Sequence, residues 1–152
     1  MKGKILFLLF FVSLVSLVFG QYPASNGEDN SANWIQRVQL ESIDNSTIEE
    51  PGGYADYSSG YPANLTASST ADLVVEVAGD GYIFVTAWID WNQDYDFDDP
   101  DEEFLVISGA TSGGQYMTVI TVPDGISTPV APTRMRVSYS NGASPPSSGP
   151  FP

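Results

Sequence analysis

The sequence predicts an all-β protein, an antiparallel β-sandwich of Ig-like or jelly-roll-like architecture with about six to eight strands. Three observations carry that prediction. Apolar and β-branched residues alternate over short runs, Gly- and Pro-containing turns separate those runs, and no segment beyond residue 20 keeps an apolar period of 3.6. A chain of 152 residues is long enough for one domain with a sizeable core. It shows no internal repeat.

Taken in order, the first twenty residues place Lys2 and Lys4 ahead of an unbroken apolar run and end in Val18-Phe19-Gly20. That is the layout of a secretory signal peptide, with the mature chain starting near Gln21. The competing reading is a retained anchor, for which Ile5 to Phe19 is short against the ~20 residues that cross a bilayer. After a polar opening, Gln21 to Asn33, the segment Trp34 to Ile43 alternates as a first strand. Asn45 to Thr70 is rich in Ser, Gly, Tyr, Asn and Pro and reads as a surface loop with at most one short strand.

Strand signals return at Leu73 to Val77, which the turn signal Gly79-Asp80-Gly81 ends. Tyr82 to Trp91 carries aromatic and β-branched residues on both faces, as a central, buried strand does. Phe104 to Ile107, Gln115 to Val122 and Thr133 to Ser140 follow, with Ser112-Gly113-Gly114 and Pro123-Asp124-Gly125 as intervening turns. In the last strand Met135, Val137 and Tyr139 share the inward face. The domain is thus expected over 21–140. Asn141 to Pro152 holds four prolines and is expected to be a tail: a linker, a flexible end or a truncated element.

Charge and composition narrow the function. Once Lys2 and Lys4 are removed, only Arg37, Arg134 and Arg136 oppose nineteen acidic residues, a net charge of −16. Nucleic acid and anionic lipid are poor partners for such a surface. The sequence has no Cys and no His, so the usual zinc and copper sites are excluded and a bound metal would be a hard cation. A Ser nucleophile would lack a His base, which disfavours catalysis. A carboxylate-pair glycosidase stays open on composition alone.

One segment stands apart. Asp90 to Glu103 holds eight of the nineteen acidic residues, a concentration of like charge that needs a counter-ion. Oxygen ligands at alternate positions converge when a loop curls around an ion. The spacing D-x-N-x-D-x-D-x-D supplies them from Asp90, Asn92, Asp94, Asp96 and Asp98, with Glu102 as the closing ligand and Asp101 or Glu103 as substitutes. Ca2+ fits a flexible carboxylate-rich loop better than Mg2+, which keeps its waters and demands octahedral geometry. The bland alternative is a solvated acidic loop that aids solubility. In such loops the sixth position is usually Gly because the chain turns sharply there; here it is Tyr95.

The run Trp88-Ile89-Asp90-Trp91-Asn92-Gln93-Asp94, followed by Asp96-Phe97-Asp98-Asp99 and Glu102, resembles the core motif of the GEVED domain family. Gly53-Tyr54-Ala55-Asp56-Tyr57 upstream, and Val122-Pro123 with Thr133-Arg134-Met135-Arg136-Val137 downstream, extend the resemblance over roughly Tyr22 to Phe151. It implies a calcium-associated β-sandwich used as an accessory or adhesive module in secreted and surface proteins. It places the ion on Asp90, Asn92, Asp94, Asp96, Asp98 and Glu102, and it brings no catalytic residues. Two features of the family are missing: its frequent cysteines near each end, and the closing Gly-Glu-Val-Glu-Asp-Tyr strand.

The expected function is therefore a secreted, non-catalytic, calcium-binding structural or adhesive protein. A sandwich without its last strand exposes an edge and a core groove. One expectation is that Gln21 to Asn33 or the Pro-rich tail of a neighbouring copy fills that gap and links copies of the protein into a fibre, against a truncated sequence or a bare edge. The alternative is a carbohydrate-binding module, in which some of Trp34, Trp88, Trp91 and the eight tyrosines stack on surface glycans; Trp88, in mid-strand, is expected in the core. Asn45-Ser46-Thr47 and Asn64-Leu65-Thr66 are glycosylation sequons, at Asn45 and Asn64.

Overall fold

The computed structural model describes residues 21–27, 32–126 and 132–151; the signal peptide expected over 1–20 lies outside them. Seven strands run in chain order: β1 (Ser25–Gly27), β2 (Ile35–Leu40), β3 (Ile43–Ser46), β4 (Thr70–Ile89), β5 (Glu103–Thr121), β6 (Met135–Asn141) and β7 (Gly149–Phe151). A single 3₁₀ turn, Pro51–Gly53, lies in the long loop after β3.

β4 organises the domain. It pairs along almost its whole length with β5, antiparallel, from Thr70↔Thr121 to Trp88↔Glu103. Its other edge is shared: β2 takes the first half through Val38↔Val75 and Leu40↔Leu73, and β6 takes the second through Val85↔Tyr139 and Ala87↔Val137. β3 then extends the sheet beyond β2. Leu73, Val75 and Val77 from the first half of β4 belong to the same buried cluster as Ile83, Val85 and Ala87 from the second. Side chains of β2 and β3, beside the first half of β4, and of β6, beside the second, line one and the same groove, so the long hairpin bends and its two halves face each other as a sandwich.

The bend corrects the reading of two turns. Gly79-Asp80-Gly81 and Ser112-Gly113-Gly114 do not end strands; they sit opposite one another in the β4–β5 ladder, where the register shifts between Val77↔Gly114 and Asp80↔Ser112. Paired irregularities of this kind let both strands bend together while hydrogen bonding resumes on either side. Gly79 has φ +96°, and a Cβ there would lie 1.7 Å from Asn33 Oδ1. The connection that joins β4 to β5 is instead the acidic loop.

Three further expectations change. The first predicted strand is two, β2 and β3, because the chain reverses at Glu41 (φ +50°). The polar opening contains β1. The Pro-rich tail is part of the domain: its β7 pairs with β1, the one parallel pairing among the described strands, and Pro145 is buried. Ser144 Oγ lies 3.1 Å from Thr86 Oγ1, and the Arg136 guanidinium donates to the carbonyls of Ser147 and Pro23. Prolines do not prevent this, because the tail is held by side chains and carbonyls rather than by a full ladder. Trp88, on the same face of β4 as Thr86, is 1 % exposed, in the core as expected. The described residues of both segments named as strand donors thus include contacts within their own chain.

Candidate metal centre

The acidic loop starts where β4 leaves the core. Asp90 is fully buried, and its carboxylate organises the loop entrance. Oδ1 accepts the Gln93 N–H at 2.6 Å, while Oδ2 accepts the Tyr95 N–H at 3.2 Å and the Tyr22 hydroxyl at 2.7 Å. Burial and this bond to Asp90 push the Tyr22 hydroxyl up to about 12.

Beyond Asp90 the alternating pattern builds the backbone. Asn92 Oδ1 accepts the Asp94 N–H, Asp94 Oδ1 accepts that of Asp96, and Asp96 Oδ1 accepts that of Asp98, all within 3.0–3.2 Å. These are successive Asx turns, in which a short polar side chain satisfies the amide two residues on. Gln93 and Tyr95, between them, have φ +62° and +76°. The sharp turn expected of a Gly at the sixth position is therefore made, with Tyr95 in the left-handed region that a side chain disfavours.

The turns draw three carboxylates together. One oxygen each from Asp94, Asp96 and Asp99 lies within 4.8 Å of the other two. The Asn92 amide nitrogen bridges two of them, 3.0 Å from Asp94 Oδ2 and 2.5 Å from Asp99 Oδ2. Glu102 is 1 % exposed; its Oε1 accepts the Trp91 N–H at 2.8 Å, whereas its Oε2 is buried without a hydrogen-bond partner. Burial raises its pKa, and the nearby charges of Asp90 and Asp99 add to that rise against the bonds from the Trp91 and Asp99 backbone.

Of the six residues expected as ligands, the structure brings Asp94 and Asp96 together with Asn92 beside them. Asp90 spends its oxygens on Tyr22, Gln93 and Tyr95. Asp98 turns away to accept the Ser147 hydroxyl at 3.0 Å. Glu102 holds the loop exit, with one oxygen free. Asp99, which breaks the alternation, joins the cluster instead; the D-x-D-x-x-D spacing of 94, 96 and 99 is its signal in the sequence. Phe97 is 3 % exposed and stacks on Tyr22 at 5.3 Å, with the Arg136 guanidinium 4.9 Å from its ring centroid. It pins the loop to the domain.

This loop, and everything from late β4 to β7, falls inside the region that matches a known family: residues 84–151 match the GEVED domain. The match spans 68 of the chain's 152 residues. No curated protein and no solved structure gives a significant match. The GEVED match begins within β4, so β1 to β3 and the upstream Gly53-Tyr54-Ala55-Asp56-Tyr57 segment lie before it. Those residues nevertheless share one core with the matched region through β2, and Asp56 lies 3.8 Å from Arg134, just before β6. The two sequons differ in access: Asn64 is exposed on the loop, whereas Asn45 is 6 % exposed on β3.

Proposed function

We propose that this protein is a secreted, non-catalytic calcium-binding module with a structural or adhesive role outside the cell. The observation that carries the reading is Glu102. Its Oε2 is buried and unpartnered beside Asp90 and Asp99, at the base of a loop whose Asp94, Asp96 and Asp99 carboxylates converge. An uncompensated buried carboxylate is costly, and a hard cation is the partner such an oxygen set suits.

Asp94, Asp96 and Asp99 would hold the ion, with Asn92 turning its carbonyl oxygen inward; Glu102, which is not one of the clustered carboxylates, would complete the shell as the loop tightens around the ion. Bound calcium would neutralise the loop and fix the hairpin that joins β4 to β5. An ion that binds only the folded state stabilises it, and extracellular calcium is abundant enough to fill a weak site. The apolar leader supports export, and the absence of His and Cys together with the turn-forming role of the carboxylates supports a role without catalysis.

The test is calorimetric titration of the exported protein with calcium, paired with thermal melts in calcium and in chelator, for the native sequence and Asp94→Ala. Saturable binding and a melting temperature that falls in chelator support the reading. Binding heats and melts indifferent to both calcium and the substitution would refute it.

A further inference from the structure

A groove of about 860 Å³ opens between the two layers of the sandwich, bounded by β2 and β3 in one layer, by β6 in the other, and by the loop from Ile48 to Leu65 that follows β3. Its floor is aliphatic: Val38 and Leu40 from β2, and Ile43 from β3. Protein interiors are packed to crystal-like density, and an apolar volume of this size left empty forfeits contacts along every wall.

The way β6 meets the groove identifies what would fill it. Met135, Arg136, Val137, Ser138 and Tyr139 all border it. Consecutive residues point to opposite faces of a sheet, so a cavity bordered by five in a row meets the edge of the strand, not one face. The bonds from the Asp90 N–H to the Arg134 carbonyl and from the Gly142 N–H to the Tyr82 carbonyl fix the ladder. Even-numbered residues of β6 therefore bond to β4, and the N–H and C=O groups of Met135, Val137 and Tyr139 point away from it. No described strand pairs with that edge. Three buried polar atoms on residues that line the groove also lack partners: Asn33 Oδ1, Asn45 Oδ1 and the Tyr139 hydroxyl. The outer edge of β5 also pairs with no described strand, but none of the buried unpartnered atoms among the described residues lies on β5.

We propose that the β6 edge and this groove accept an extended β-strand from a different polypeptide, with apolar side chains at alternate positions and basic residues at its ends. The inference rests on the structural or adhesive reading above, and it names the surface and partner chemistry through which that role is exercised. A strand of about seven residues, roughly 23 Å long, matches β6. Its backbone would pair with Met135, Val137 and Tyr139, and its inward side chains would cover the half-buried Ile35 and Ile43, as in strand addition to an open sheet. A glycan offers neither the alternating N–H and C=O spacing nor an apolar face for that floor. Basic ends suit a chain with nineteen acidic and five basic residues. For the same reason a second, equally acidic copy is the poorer occupant.

The experiment is amide hydrogen exchange by NMR on the exported protein, with and without a synthetic peptide of alternating Val and Thr flanked by Lys. The peptide is expected to slow exchange at Met135, Val137 and Tyr139 at least tenfold. A version with Pro at alternate positions is expected to do nothing, and Ile43→Glu is expected to abolish the effect while the fold, checked by circular dichroism, persists. Exchange at those three amides that is already slow in the free protein, or unchanged at millimolar peptide, overturns the proposal. So does protection that appears only with protein concentration, which would make a second copy the occupant, or with an oligosaccharide panel. Running each arm in calcium and in chelator separates the two readings, because a melt indifferent to calcium would sink the ion site and leave the amide result standing.

Discussion

The hydroxyl of Tyr22 donates a 2.7 Å hydrogen bond to Oδ2 of Asp90, across 68 residues of sequence. One end of that bond belongs to the opening segment and the other to the first residue of the acidic loop, so the N-terminal segment and the candidate metal centre are tied to each other. Tyr22 also stacks against Phe97 of the loop and lies 4.9 Å under the Arg134 guanidinium.

Replacing Tyr22 with Phe is therefore expected to cost about 1–3 kcal/mol, since it removes a donor from a buried charged acceptor. Tyr139→Phe is the contrast: its hydroxyl is buried without a partner, so its loss is expected to be neutral or stabilising by up to about 1 kcal/mol. Denaturant unfolding of both variants checks the pair. Equal losses would mean that the Tyr22 bond carries no special weight.

The two neighbouring aspartates separate the carboxylates that cluster in the structure from the alternating pattern. Asp99→Asn is expected to weaken calcium binding at least tenfold, because Asp99 lies with Asp94 and Asp96. Asp98→Asn is expected to change affinity little, because that carboxylate faces Ser147. Titration calorimetry decides between them, and the reverse order would restore the alternating set.

Glu102→Gln should change stability in opposite directions with and without calcium. In chelator the substitution removes an unpaired buried charge and is expected to raise the melting temperature; in calcium it removes a ligand and is expected to lower it. The pH dependence follows from the raised pKa of Glu102. The folded state holds this proton more tightly than the unfolded one, so calcium-free stability from this group falls as pH rises from the ordinary carboxylate value of 4.5 through the raised folded one. Chelated melts across mildly acidic pH should show that slope in the native protein and lose it in Glu102→Gln. Calcium affinity should run the other way, weakening as pH falls through the same window, because the ion competes with that proton.

The bend in the hairpin gives a test of the fold. Gly79→Ala adds a Cβ that meets Asn33 Oδ1 at 1.7 Å and the Ala32 carbonyl at 2.6 Å, at φ +96°. It is expected to cost more than the ~1–3 kcal/mol of backbone strain alone. Gly125→Ala, at φ +73° with nothing within 4 Å, incurs strain only and is expected to be the milder of the two in thermal melts.

By itself, the sequence determined the strand content, the buried central strand with Trp88 in the core, the inward face of β6 and the position of the acidic loop. Each is a local matter of period-two alternation, turn residues and charge density, which neighbours in sequence suffice to express. The tertiary structure decided the rest. Whether Gly79-Asp80-Gly81 ends a strand or bends it depends on Ser112-Gly113-Gly114 standing opposite, and whether the Pro-rich tail is loose or docked depends on Arg136 and Thr86 lying beneath it. That Asp99 rather than Asp98 lies with Asp94 and Asp96 was equally hidden, since both are acidic and adjacent. Which one meets Asp94 and Asp96 depends on the turn taken after Phe97, and Phe97 is held by Tyr22 and Arg136, residues brought to it only by the folding of the whole chain.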